Sequence, residues 1–122
     1  MPCMKMGQIN KSYVVDTTNS PQARLRPVPI DAVRLQDSFW APRLRLLREV
    51  TMSTQYQLME ETGRLWNFKR GAGKSEGPFR VFSSMTRMST KWVEGVAFCL
   101  ASMPDARLKN LVSPLIDDIV AV

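Results

Sequence analysis

The chemistry open to this 122-residue chain is set by two cysteines, eleven carboxylates and the absence of histidine. Without histidine there is no imidazole for acid/base work, and no Cys/His zinc site can be built from this chain alone. Cys99 lies among Val96, Ala97, Phe98 and Leu100. That setting suits a small buried hydrophobe better than a reactive thiol. Cys3 sits in the N-terminal lead-in, and nothing in the spacing supports pairing it with Cys99. Hydrolysis of a glycoside would need two carboxyl groups converging on one bond, or a nucleophile with an acid/base partner. Glu60-Glu61 and Asp117-Asp118 are neighbours on predicted helices, so each pair diverges by about 100° and reads as facing solvent. Glu94, two residues from Trp92, is the better candidate for a buried, hydrogen-bonded carboxylate, set against the plainer reading of a helix-surface salt bridge. The stretch Gly71-Ala72-Gly73-Lys74-Ser75 looks like a phosphate-binding loop, but the pattern needs glycine five residues before Gly73, where Phe68 stands. It is also followed by Glu76-Gly77-Pro78 rather than by a helix start. No catalytic and no metal-ligating residue is assigned within the chain.

The elements that must position these groups are mainly helical. Residues 1–29 are polar and carry Pro2, Pro21, Pro27 and Pro29, the composition of an extended lead-in. Val33 and Leu35 alternate with Arg34 and Gln36, which predicts a short strand ending at Phe39 and Trp40 as anchors. Pro42 suits a first helical turn. Leu44, Leu47 and Val50 follow at helical spacing, predicting a helix from Pro42 to about Glu61, broken near Met52-Ser53 and stopped by Gly63. The glycine-rich stretch from Asn67 to Pro78 predicts a loop. Trp92, Val93, Val96, Ala97, Leu100 and Ala101 form the stripe of an amphipathic helix ended by Met103-Pro104. Asp105 is a natural N-cap for a second helix, with Leu108, Leu111, Val112, Leu115, Ile116, Ile119 and Val120 on its apolar face. Pro114 inside that helix predicts a kink near Asn110 or Leu111. The apolar stripe is still running at Val122, so residues 30–122 read as an incomplete part of a larger helical domain.

Composition narrows the partners. The net charge is +6, yet the basic residues are scattered through every segment instead of clustering on one face or arm. A solvated surface is therefore favoured over a nucleic-acid interface. No apolar run reaches the length of a signal peptide or a bilayer span, which as written predicts an unexported, cytoplasmic product with no membrane partner.

Four separate stretches, in order, carry a family resemblance: "NSPQARLRPVPIDAVRLQDSFWAPRL", "EETGRLWNFKRGAGKSEGPF", "KWVEGVAF" and "MPDARLKNL". Together they resemble the N-terminal part of glycoside hydrolase family 127, the β-L-arabinofuranosidase-like enzymes, from about Tyr13 to Val122. The most specific pieces are Phe39-Trp40-Ala41-Pro42-Arg43, Glu61-Thr62-Gly63-Arg64 with Asn67-Phe68, and Lys91-Trp92-Val93-Glu94. The resemblance implies part of an (α/α)6 barrel, with β-sandwich elements to which a strand near Val33 would belong. It implies a carbohydrate substrate of the arabinofuranoside type and retaining hydrolysis by a zinc-bound cysteine thiolate, with a glutamate as acid/base. Those residues, and so the zinc, belong beyond Val122, and Cys99 matches a core position. The chain is then a fragment, inactive alone. Two other readings are a small helical interaction or scaffold domain and a basic nucleic-acid-binding module.

One stretch departs from the family. Ahead of Lys-Trp the family typically reads Phe-Asn-Asp-Ser-Asp-Val-Tyr, a loop at the sugar-binding mouth, whereas here Met85 to Thr90 read Met-Thr-Arg-Met-Ser-Thr. Phe82, as the family's aromatic, is the one substrate-binding residue the resemblance carries over. A plausible coding, AAT GAC TCG GAT GTC TAC AAG TGG, read one base late gives ATG ACT CGG ATG TCT ACA, which encodes those six residues. One added A then restores Lys91 and Trp92. The run is predicted to be a compensated local frameshift.

Overall fold

Asp37 starts the first helix. Its Oδ1 accepts the backbone N–H groups of Phe39 and Trp40 in the computed structural model, which describes residues 13–80 and 86–122. That satisfies donors a helix N-terminus otherwise leaves open. Helix α1 (Trp40–Leu46) passes through a π-helical turn (Leu47–Thr51) into α2 (Met52–Glu61). The irregularity predicted near Met52-Ser53 is this wide turn, and the helix continues through it. The backbone N–H of Met52 bonds to the Leu47 carbonyl, so Leu47 and Met52 stand one wide turn apart and Tyr56 and Met59 continue their inner row.

Gly63 ends α2 as the sequence predicts. With φ at 72° it lets Arg64 N–H reach the Met59 carbonyl (2.9 Å) and its own N–H reach that of Glu60 (3.0 Å), the paired bonds of a Schellman cap. Gly73, at φ 71°, repeats the arrangement at the end of α3 (Trp66–Gly71), with Lys74 N–H on the Lys69 carbonyl (2.8 Å) and Gly73 N–H on that of Arg70 (3.0 Å). This corrects the loop reading for residues 67–71, which are helical. The phosphate-loop lookalike is a helix ending, with its glycine used as a cap.

Helix α4 (Thr86–Ser102) and helix α5 (Ala106–Val120) complete the chain, and α4 packs on both α2 and α5. Asp105 caps α5 as predicted, accepting from the N–H groups of Arg107 (2.9 Å) and Leu108 (3.3 Å). Helix α5 continues through Pro114 as one helix. The core joins Met52 and Met59 to Trp92 and Val96 of α4, and to Leu108, Val112 and Leu115 of α5, with Leu65 filling the corner between α2 and α3. Trp92 is the hub. Its indole N–H donates to the Met52 carbonyl at 2.9 Å and its ring lies 5.2 Å from that of Tyr56.

Several sequence expectations fail for tertiary reasons. The described residues contain no strand: Val33 is extended (φ −107°, ψ 123°) but nothing pairs with it. A short 3-10 turn (Ile30–Ala32) precedes it. Phe39 and Trp40 do not anchor into the core; they remain 53% and 57% exposed, touching each other edge to face, with the Arg43 guanidinium 3.6 Å from the Phe39 ring. Helix α1 buries none of its residues, because no element covers Leu44 among the described residues, and Val50 beyond it is also exposed. On α5 the inner row is Leu108, Val112 and Leu115, while Ile116 and Val120 face outward. Ala97 of α4 is likewise exposed.

Two measurements test the caps. A Cβ at Gly73 would meet nothing within 4 Å, so Gly73→Ala isolates the cost of the left-handed backbone. Urea denaturation is expected to show a loss of about 1–2 kcal/mol. Hydrogen bonds from the Trp40 and Phe39 amides hold the Asp37 carboxyl below its ordinary range against opposing desolvation. For Asp105, desolvation pushes upward but is outweighed by bonds from the Arg107 side chain and the Leu108 and Arg107 amides. Because both folded values are depressed, their contribution is full above the unfolded carboxylate pKa of about 3.9 and is lost as pH falls through the folded values. The Tm difference between the native chain and an Asp37→Ala/Asp105→Ala double variant is expected to be constant at neutral pH and to shrink below about pH 4.

Candidate functional site

The cap at Gly63 turns the chain so that four consecutive residues take different tasks. Leu65 inserts into the core, Asn67 is buried, and Arg64 and Trp66 line a polar corner against Arg80. The Arg80 guanidinium stacks 3.7 Å over the Trp66 ring, whose indole N–H donates to the Pro78 carbonyl at 3.3 Å. The Asn67 Oδ1 accepts the Arg80 backbone N–H at 3.4 Å. Arg64 reaches the first turns of α4, with Nη1 3.3 Å from the Met88 sulfur, and its Nε is buried without a hydrogen-bond partner. Neither Arg64 nor Arg80 has a carboxylate partner among the described residues. Guanidinium and amide groups left in this state supply donors suited to an oxygen-rich ligand. Sequence reading placed Arg64 and Asn67 in a family-specific piece without seeing that they converge with Arg80.

The acidic candidates are committed elsewhere. Glu94 is exposed and paired with Lys91 at 2.7 Å, which upholds the salt-bridge reading. Glu60 pairs with Lys69 at 3.1 Å, and Glu61 accepts from Gln57 at 2.8 Å. Asp118 departs from expectation: it is 5% exposed, on the inner side of α5, and it pairs with Lys74 from the turn after α3. The hydrogen bond to Asp118 raises the Lys74 pKa. The charge pattern of two adjacent aspartates gave no sign of this, because the partner comes from a distant loop. The geometry thus provides binding groups but no facing carboxylate pair among the described residues.

Nor do the described residues fit zinc. No three His, Cys, Asp or Glu side chains gather within reach of one ion among them. Cys99 is half-buried on α4, and burial pushes its thiol pKa up, away from the thiolate that a metal or a nucleophilic role requires. Phe82 lies outside the described residues, as do Cys3 and Met85. No helix among the described residues is long and apolar enough to cross a membrane.

The run that departs from the family is helical from Thr86, five residues before Lys91. It holds no Gly or Pro, and its Arg and Met are good helix formers. Ser89 falls one turn before Trp92 on the inner face, fully buried, with its Oγ unpartnered among the described residues. Sequence reading missed this, although a three-residue spacing back from Trp92 points to it. A buried hydroxyl without a partner is a net cost, so Ser89→Ala is expected to stabilise the chain by about 1–3 kcal/mol in urea denaturation.

Residues 32–122, about three quarters of the chain, match the family model described as beta-L-arabinofuranosidase, GH127 catalytic domain. No curated protein and no solved structure matches the chain.

Proposed function

Because the chain belongs to the GH127 beta-L-arabinofuranosidase catalytic-domain family, we propose that it is the opening part of a retaining glycoside hydrolase and is inactive alone. The family assignment makes carbohydrate the substrate class of the parent enzyme. The observation that carries the reading is the family match across all five helices, together with a polar corner that can bind but holds no reacting group. Arg64, Asn67 and Arg80 would offer hydrogen bonds to sugar hydroxyls at the edge of a larger site, and Phe82 would be the family's substrate-binding aromatic by resemblance. The arabinofuranoside specificity and the completed (α/α)6 barrel belong to the same proposal. Zinc, a cysteine nucleophile and a glutamate acid/base would come from sequence outside this chain, whose described residues do not fit the metal.

The frameshift is part of this reading. In the family's reading, position 89 carries valine, and the fold places position 89 in the core, where Ser89 leaves a hydroxyl unsatisfied. An apolar side chain is what that environment favours. The native codons for Met85 to Lys91 test the idea directly: codons incompatible with a one-base shift overturn it. Reading the gene past Val122 in all frames is expected to reveal the missing cysteines and glutamate, and their absence would sink the fragment reading. At the protein level, the six changes Met85→Asn, Thr86→Asp, Arg87→Ser, Met88→Asp, Ser89→Val and Thr90→Tyr are expected to raise the Tm while leaving glycosidase activity undetectable. Turnover of a β-L-arabinofuranoside by either form would contradict the assignment of the reacting groups elsewhere.

A further inference from the structure

Met52 and Met59 are buried in the core, at 6% and 4% exposure, whereas Met103 at the end of α4 is 49% exposed. Its backbone is nonetheless held. The Met103 N–H donates to the Cys99 carbonyl at 3.0 Å, and Pro104 restricts the conformation of the residue before it. The thioether is thus presented from a fixed point. Arg48, on the wide turn opposite, meets its neighbour Glu49 at 3.5 Å and brings Nη1 to 2.9 Å from the Met103 sulfur. A tie matters at this edge, because neither α1 nor the wide turn contains a buried residue.

A thioether is a weak acceptor, so the guanidinium beside it is an under-used set of donors. Oxidation by a peroxide changes that. A sulfur lone pair attacks one peroxide oxygen, and the S–O bond forms as the O–O bond breaks. The proton on the transferred oxygen passes to the departing hydroxide, which leaves as water; sulfur gives up two electrons and the peroxide gains them. The sulfoxide is polar, and its oxygen accepts charge-assisted bonds from a guanidinium already in place. The neighbouring thiol competes poorly. Burial pushes the Cys99 pKa up, with the Arg48 charge opposing, so the reactive thiolate is scarce. We propose that Met103 is a peroxide-responsive modification site whose sulfoxide is clasped by Arg48, fastening the end of α4 to the wide turn. Oxidation that disrupts a core methionine tightens the fold here. A thiol-dependent sulfoxide reductase releases the clasp, removing the oxygen as water while a dithiol becomes a disulfide. Both groups belong to this chain, and the clasp needs no occupant in the groove between them.

The test treats the full chain with hydrogen peroxide and follows each methionine by mass spectrometry of tryptic peptides. Met103 is expected to oxidise at least about fivefold faster than Met52 and Met59. Met88 is also exposed, with Arg64 Nη1 3.3 Å from its sulfur, and a Met103→Leu chain treated in parallel subtracts its contribution. Against that control, oxidation is expected to raise the Tm by about 2–4 °C and to slow hydrogen exchange at residues 47–51 by at least about twofold. Both gains are expected to vanish on reductase treatment and in Arg48→Met, which keeps the apolar stem and removes the donors. Met103→Gln, which offers a carbonyl oxygen without peroxide, is expected to exceed Met103→Leu in Tm by a similar margin. Oxidation of Met52, Met59 or Cys99 ahead of Met103 would overturn the proposal. So would an unchanged or lowered Tm on oxidation, a gain that survives Arg48→Met, or a Met103→Gln chain no more stable than Met103→Leu. None of these outcomes depends on the hydrolase reading.

Discussion

The indole of Trp92 is the constraint around which the helices are arranged. Among the described residues it is the one side chain that joins α2 and α4 by both packing and a directed hydrogen bond, since its N–H meets the Met52 carbonyl at 2.9 Å while its ring lies against Tyr56. A buried indole needs a partner for its single donor, and a regular helix offers few spare carbonyls away from its ends. Met52 sits where the π-helical turn gives way to α2, a place where the regular pattern of bonding is already altered. The wide turn therefore does two things. It keeps Leu47 on the inner row and it adjoins the carbonyl that receives the indole. Val96, one turn further along α4, then meets the Leu108, Val112 and Leu115 row of α5, so the same helix face fixes both neighbours.

Much of this was legible in the sequence, and the legible part was local. Gly63 as a stop and Asp105 as a cap follow from backbone conformations and orphan amides, which depend on a few adjacent residues. The stripes of α4 and α5 gave the core row because periodicity needs no knowledge of the partner. What the sequence hid was decided at a distance. Leu44 and Val50 have the spacing of a buried face, yet exposure depends on whether another element lies over them. Val33 and Leu35 alternate as a strand does, but a strand requires a second strand. Asp118 reads as a surface charge beside Asp117, and its burial depends on Lys74 reaching it from the turn after α3. The π-helical turn has no composition signal of its own.

The candidate site shows the same division between local and assembled features. Arg64 and Asn67 were recognisable as parts of a specific motif, but only the Schellman turn at Gly63 shows why they are three apart with Leu65 between them. The turn sends Leu65 inward as an anchor and leaves the polar residues around the corner occupied by Arg80 and Trp66. The carboxylates that might have reacted are instead used in ties between or along helices, with Glu94 on Lys91 and Glu60 on Lys69. A site with donors on one side and no reacting group agrees with one edge of a catalytic domain, which is what the family match describes over residues 32–122.

Residues 86–90 separate helix propensity from tertiary fit, and that separation bears on their origin. Propensity alone accounts for α4 beginning at Thr86, because nothing in Thr-Arg-Met-Ser-Thr breaks a helix. It does not account for a serine at a position with no exposure and no hydrogen-bond partner among the described residues, where the inner row continues as Trp92 and Val96. In the genetic code the middle base largely sets polarity, and thymine there gives apolar residues. Reading the proposed GTC codon one base late yields TCT, which moves thymine out of the middle and turns valine into serine. A frame slip therefore preserves a helix-compatible run while placing a hydroxyl where the fold calls for two methyl groups. Point substitutions could also create one buried serine, but they would have to alter all six residues from Met85 to Thr90 while leaving Lys91 and Trp92 in register. The proposed slip and its correction would account for the whole run at once.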